Sequence, residues 1–137
     1  MRGKRLLVLL TFNEIEALPK IFDRLPLGAA DEVLAVDGGS KDGTVEFLES
    51  KGVKVLLQPR RGRGVAFRVA LDATDAETIC YYSPDGNEDP ADIPKIFEMI
   101  EAGGQDLVVA SRMMRGAYNE EDIHWFRPRK WVNPLFT

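Results

Sequence analysis

The chain has 137 residues, 45% hydrophobic and 29% charged, which fits one globular domain and excludes a disordered chain. With 18 Lys+Arg against 22 Asp+Glu the net charge is -4, which argues against nucleic acid as the partner, since phosphate binding needs a basic face. The single cysteine, Cys80, excludes an internal disulfide, and the longest apolar run, residues 6–10, is too short to span a bilayer.

The basic start followed by that run resembles a leader, but Thr11-Phe12-Asn13-Glu14 follows with no small-residue cleavage site, so residues 5–10 read as a strand. Residues 14–25 read as a helix, with Ile15, Leu18, Phe22 and Leu25 at helical spacing and Asn13 and Glu16 as a capping box. A second strand is expected over 32–36, a second helix over 42–50 stopped by Gly52, and a third strand over 53–57. Ala66, Val69, Ala70 and Ala73 give one face of a third helix over 64–73, before a fourth strand over 78–82. Pro90 opens a fourth helix carrying Ile93, Ile96, Phe97 and Ile100, which Gly103-Gly104 ends. Residues 106–110 read as a fifth strand. Strand starts about 25 residues apart are the spacing of βαβ units and predict a parallel sheet with helices on both faces.

Residues 112–137 break this pattern and read as an irregular lid or acceptor segment of a domain that continues beyond the sequence. His124 has no Cys or His partner and reads as a packing or surface residue. Trp125, Phe126, Trp131 and Phe136, with Arg127, Arg129 and Lys130, could meet a lipid interface or pack as a core or lid.

In an open parallel sheet, ligands bind beyond the carboxyl ends of the strands. Almost every polar residue of chemical interest falls in those loops. After the second strand, Asp37 precedes Gly38-Gly39-Ser40 and Asp42. A carboxylate there can accept bonds from a base or ribose, while Ser40, Asp42 and Thr44 read first as turn and cap residues. After the third strand, Arg60, Arg61 and Arg63 lie among glycines, with Arg68 one turn on. This suits phosphate or a solvated basic loop, and it is not a P-loop. After the fourth strand, Asp85 and Asn87 could supply oxygen ligands to Mg²⁺ or Mn²⁺, and Asp89 reads as the cap of the Pro90 helix.

The ordered set Thr11-Phe12-Asn13-Glu14, Val36 to Thr44, Arg61-Gly62-Arg63-Gly64, the Asp85 loop running into Asp89-Pro90, and Ser111-Arg112 resembles the family 2 glycosyltransferases of GT-A fold. The nearest branch in appearance is the dolichyl- or polyprenyl-phosphate sugar transferases. The resemblance implies that Thr11, Asn13, Glu14, Asp37 and Ser40 bind the nucleotide and that Arg63 lies near the diphosphate. It further implies that Asp85 and Asn87 hold the Mg²⁺ or Mn²⁺ against that diphosphate, making Asp85 and Arg63 the catalytic pair, and that Arg112 and Arg127 grip the acceptor phosphate. The implied reaction is inverting transfer of a sugar from GDP-mannose or a UDP-sugar to a lipid phosphate. The implied place is a peripheral one, at the cytosolic face of the membrane.

Two positions depart from the family's pattern. The metal loop reads Ser83-Pro84-Asp85 where the family has Asp-x-Asp, and Gly38 stands where a second acid is usual. The first departure keeps open a nucleotide-binding module without catalysis. A sugar-phosphate nucleotidyltransferase would need a glycine-rich, Arg-containing loop after the first strand. A receiver domain would need an acidic pair there and a lysine after the fifth strand. Neither pattern is present.

Overall fold

The computed structural model describes residues 2–110, so the expectations for Arg112, His124, Arg127 and the rest of 112–137 lie outside the described residues. Eight elements alternate: β1 (Arg5–Thr11), α1 (Leu18–Phe22), β2 (Glu32–Asp37), α2 (Thr44–Ser50), β3 (Lys54–Leu57), α3 (Arg63–Asp72), β4 (Thr78–Tyr82) and α4 (Asp92–Glu101). A short 3-10 turn, Leu27–Ala29, sits before β2. The four strands form one parallel sheet in the order β3-β2-β1-β4.

β1 is the hub. It pairs with β2 from Leu6↔Glu32 to Thr11↔Asp37, and on its other edge with β4 from Arg5↔Thr78 to Leu9↔Tyr82. Its unbroken run of Leu and Val is what a strand covered on both faces requires. Leu7 and Leu9 face α1, α2 and α4, in a core with Leu18, Phe22, Leu48, Ile93 and Phe97. Leu6 and Val8 face α3, packing with Leu34, Val36, Ala66 and Ala70. Helices therefore cover both faces, as the alternation predicted. Cys80 is a buried member of the first core, and burial pushes its thiol up to about 11. Tyr81 and Tyr82 go to opposite faces: Tyr81 lies against Phe67 with ring centroids 4.3 Å apart, and Tyr82 joins the first core.

Three expectations change. The first helix is one short turn-and-a-half, Leu18–Phe22, and its N-cap is Ala17 with no side-chain bond. Asn13 does not cap it. Its backbone sits at φ 54, and its side chain accepts the Lys41 N–H at 3.0 Å. The N–H groups of residues 13–15 bond sideways to Ser40, Thr44 and Asp42, and residues 15–17 form a turn that leads into the helix. The second helix starts at Thr44 rather than 42: its N-cap is Gly43 at φ 97, and Asp42, one residue outside, accepts the Thr44 N–H at 3.1 Å in the turn that leads in.

The fifth strand is the third correction. Residues 106–110 make no ladder, and Leu107 and Val109 are 78% and 71% exposed. Apolar alternation marks a strand only where a neighbour supplies the hydrogen bonds. The chain leaves α4 through Gly103 and Gly104, both at positive φ, and does not come alongside β4.

Candidate functional site

The sheet runs from β1 outward to β2 and β3 on one side, then returns to β4 on the other. This makes the β1–β4 boundary the switch point, where the loops part and leave a crevice. A cleft of about 300 Å³ opens beyond the carboxyl ends of the strands, lined by residues that include Thr11, Phe12, Glu14, Gln58, Arg61, Arg63, Ser83 and Asp85. Four loops far apart in sequence meet there.

The loops after β1 and β2 are tied together by side chains. Asp37 is fully buried and accepts four hydrogen bonds: from the N–H groups of Gly39 (2.8 Å) and Ser40 (2.7 Å), and from the hydroxyls of Thr11 (2.7 Å) and Ser40 (2.7 Å). Ser40 Oγ in turn accepts the Asn13 N–H at 2.7 Å, and Thr44 Oγ1 accepts the Glu14 N–H at 2.9 Å. Asn13, Asp37 and Ser40 thus form the brace behind the cleft, and of the expected nucleotide-binding residues only Thr11 and Glu14 line it. Gly38 lines the cleft in front of this brace. A Cβ on it would lie 3.2 Å from both Phe12 Cδ2 and Gln58 Oε1.

The basic side is the loop before α3. Arg63 is the first residue of α3, and both it and Arg61 line the cleft, whereas Arg60 and Arg68 do not. The Arg61 guanidinium lies 4.8 Å from the centre of the Phe12 ring, a cation–π contact that makes a flat wall. Gln58 fixes the loop by donating from Nε2 to the carbonyls of Arg60 (3.3 Å) and Gly62 (2.9 Å).

The acidic side is the loop after β4. Tyr82 donates its hydroxyl to the Glu88 carbonyl at 2.7 Å, and Glu88 Oε2 accepts the Ser83 N–H at 2.9 Å. The loop is thereby folded back on the strand end. Asp85 lines the cleft and accepts the Asn87 N–H on Oδ1 at 2.9 Å. Asn87 itself does not line the cleft, and Asp89 does not cap α4 as expected: the helix starts at Asp92 rather than Pro90, its N-cap is Ala91 with no side-chain bond, and Asp89 accepts the Ala91 N–H at 3.0 Å in the turn before it. Burial, followed by the charges of Asp85 and Asp42, holds the Glu14 carboxyl above its ordinary range. Glu14 and Asp85 both line this cleft.

Among the described residues, no group of three or more His, Cys, Asp or Glu side chains gathers as a metal cage. The donors that are present still suit a hard cation. Asp85 commits only Oδ1 to the protein among the described residues, and Mg²⁺ or Mn²⁺ commonly takes one or two protein oxygens plus those of a phosphate.

Sequence reading had not singled out Phe12, Gln58, Gly38 or Ser83 as lining residues. Phe12 and Gln58 gave no signal beyond their position after a strand, while Gly38 and Ser83 stood out only as departures from the family's acidic pattern. An aromatic, an amide, a glycine and a hydroxyl carry no chemical signature without that context.

The model of the family described as "Glycosyl transferase family 2" matches residues 7–135. An uncharacterized glycosyltransferase of Mycobacterium bovis is 32% identical over 130 residues, covering 95% of this chain and 54% of that protein. The undecaprenyl-phosphate mannosyltransferase of Micrococcus luteus is 30% identical over 145 residues, covering 96% of this chain and 57% of that protein. The chain thus spans about half the length of these curated relatives. Among solved structures, the glucosyl-3-phosphoglycerate synthase of Mycobacterium tuberculosis superposes with a TM-score of 0.66 at 24% identity, over 74% of this chain and 42% of that one. The same synthase has been crystallised with Mn²⁺, UDP and glucosyl-3-phosphoglycerate, and that complex superposes with a TM-score of 0.65 at 24% identity, over 74% of this chain and 41% of that one. This likeness places the sheet and its helices in the GT-A fold.

Proposed function

The chain belongs to glycosyl transferase family 2, and from that premise we propose that it transfers a hexosyl group from GDP-mannose or a UDP-sugar to a polyprenyl or dolichyl phosphate, with inversion. The observation that carries the reading is the single cleft in which Arg61 and Arg63 of one loop share a lining with Glu14 and Asp85 of two others. A nucleoside diphosphate sugar needs a flat wall for its base, cations near its phosphates and an oxygen donor for its metal. The Micrococcus relative is named for an undecaprenyl-phosphate acceptor, and the Mycobacterium synthase binds UDP with Mn²⁺, which supports both halves of the proposal.

In this reading the base lies against Phe12 and Arg61, and the ribose meets Thr11 and Glu14. Asn13, Asp37 and Ser40 serve the nucleotide by holding those two loops in register. Arg63 faces the diphosphate from the start of α3, where free backbone N–H groups add to its charge. Asp85, with Asn87 steadying its carboxylate through the backbone, would hold Mg²⁺ or Mn²⁺, which when bound stabilises the charge of the departing diphosphate. An oxygen of the acceptor phosphate attacks the anomeric carbon, and the bond from that carbon to the diphosphate breaks with its electron pair leaving on the diphosphate. The acceptor is already ionised, so no general base is required. Arg112 and Arg127 are assigned to the acceptor phosphate. No helix among the described residues is long and apolar enough to cross a membrane, and the lipid acceptor calls for peripheral contact at its cytosolic face.

The test is thermal unfolding with GDP, UDP and their sugar derivatives, each with Mn²⁺ and with a chelator. Ligand at about 100 times its dissociation constant raises stability by about 2.7 kcal/mol. A metal-dependent shift with one nucleotide, followed by transfer of labelled sugar to a polyprenyl phosphate, is the expected result. A shift without turnover would leave a nucleotide-binding module, and no shift with any nucleotide would remove the donor reading.

A further inference from the structure

We propose that the Ser83 hydroxyl is itself a ligand of the divalent cation, beside the Asp85 carboxylate, so that this loop grips the metal through one charge and one neutral oxygen. The inference rests on the transferase reading above and concerns the position where the sequence departs from the family's two acids.

Ser83 lines the cleft with Asp85 yet is only 8% exposed. Among the described residues its Oγ makes no hydrogen bond, although its own N–H is held by Glu88 at 2.9 Å. Folded chains seldom leave a buried hydroxyl without a partner, and such a group calls for an explanation. The backbone bond to Glu88, and the Tyr82 hydroxyl that anchors the Glu88 carbonyl, already fix the position of Ser83. The hydroxyl is therefore not needed to hold the loop. Ser83 and Asp85 flank a single residue, Pro84, and both reach the cleft. A hydroxyl, a carboxylate and phosphate oxygens together make a donor set that Mg²⁺ and Mn²⁺ accept, as where a Ser or Thr hydroxyl and nucleotide phosphates share Mg²⁺ in a P-loop.

The charge count has a consequence. With one carboxylate in the loop, the cation is held weakly until a diphosphate supplies the remaining negative oxygens. It should arrive with the nucleotide and not before it.

The experiment uses Mn²⁺ as the probe, followed by electron paramagnetic resonance, in the presence and absence of whichever of UDP and GDP binds. Nucleotide binding is measured separately by calorimetry with Mn²⁺. The wild-type protein should take up Mn²⁺ only with the nucleotide. Ser83→Ala should weaken that uptake roughly tenfold, the lower end of what removing a group that supports a metal costs. Its melting temperature without ligand should be unchanged or higher, because the deleted hydroxyl has no partner among the described residues. Ser83→Asp should bind Mn²⁺ without nucleotide. Wild-type Mn²⁺ affinity in Ser83→Ala, with the nucleotide still bound, overturns the inference and leaves the transferase reading standing. A lowered melting temperature of ligand-free Ser83→Ala also overturns it, by making the hydroxyl structural. Failure of the wild-type protein to bind either nucleotide removes the donor reading, and the inference with it.

Discussion

Thr11 and Asp37 face each other as the last register pair between β1 and β2, and the Thr11 hydroxyl donates to Asp37 Oδ2 at 2.7 Å. The contact closes the sheet at the end where the cleft begins. It also occupies a carboxylate that, from sequence, reads as a ligand-binding group.

Asp37→Ala is therefore expected to act first on stability. It leaves two N–H groups and two hydroxyls without their acceptor in a buried site. The expected loss is about 2–4 kcal/mol, read as a shift of the urea midpoint at unchanged slope. A variant as stable as the parent would show that the brace is not structural.

Gly38→Ala acts on the cleft instead. Gly38 has no positive φ, so the effect is one of space: the new Cβ would sit 3.2 Å from Phe12 Cδ2 and Gln58 Oε1. Phe12 must give way and the flat wall with Arg61 shifts. Nucleotide affinity should fall by roughly three- to tenfold, with stability changed by about 1 kcal/mol or less. Titration calorimetry decides this, and undiminished affinity would place the base elsewhere.

Asp85→Ala should abolish the difference between nucleotide binding with Mn²⁺ and with a chelator, while the unfolding midpoint moves by no more than about 0.5 kcal/mol, as for an exposed residue. Metal-dependent binding that survives the substitution would take the cation away from this loop.

Far from the cleft, Arg5 grips Glu101 by two bonds, from Nε at 2.6 Å and from a terminal nitrogen, and lies 5.1 Å from the centre of the Phe97 ring. The hydrogen bond from Arg5 holds the Glu101 carboxyl below its ordinary range. Its folded value is thus lower than its unfolded one. The stability it contributes is present above the unfolded value and is lost as pH falls through the folded one. Denaturation midpoints of the parent and of Glu101→Gln should converge as pH is lowered from 6 to 3. Parallel curves would remove this pair from the acid response.

The strands were legible because each is a compact apolar run ended by turn residues, and a run such as Leu6 to Leu9 has few other folded uses. The helices on both faces followed from their spacing. The first helix was misread because Asn13 can cap or cross-link, and only the neighbouring Ser40 and Lys41 decide which. Residues 106–110 show the complementary failure, since a strand pattern does not carry its own partner. In the site, Arg63, Glu14 and Asp85 were visible as charges after strands. Gln58 and Phe12 were not, because their role comes from the Arg61 and Gly38 that the fold sets against them.

The central position of β1 bears on how the molecule is made. β1 comes before the other described strands in the chain, yet its second edge is filled only when Ile79 and its neighbours in β4 pair with Leu6 and the residues beside it. Until then a nascent chain must carry a strand of leucines with one edge unpaired through the making of β3 and α3, even once β2 has joined its other edge. Such a topology folds slowly and leaves its greasiest segment exposed to misassembly in the interval. On the ribosome this protein is expected to be a client of holding chaperones up to the moment β4 emerges.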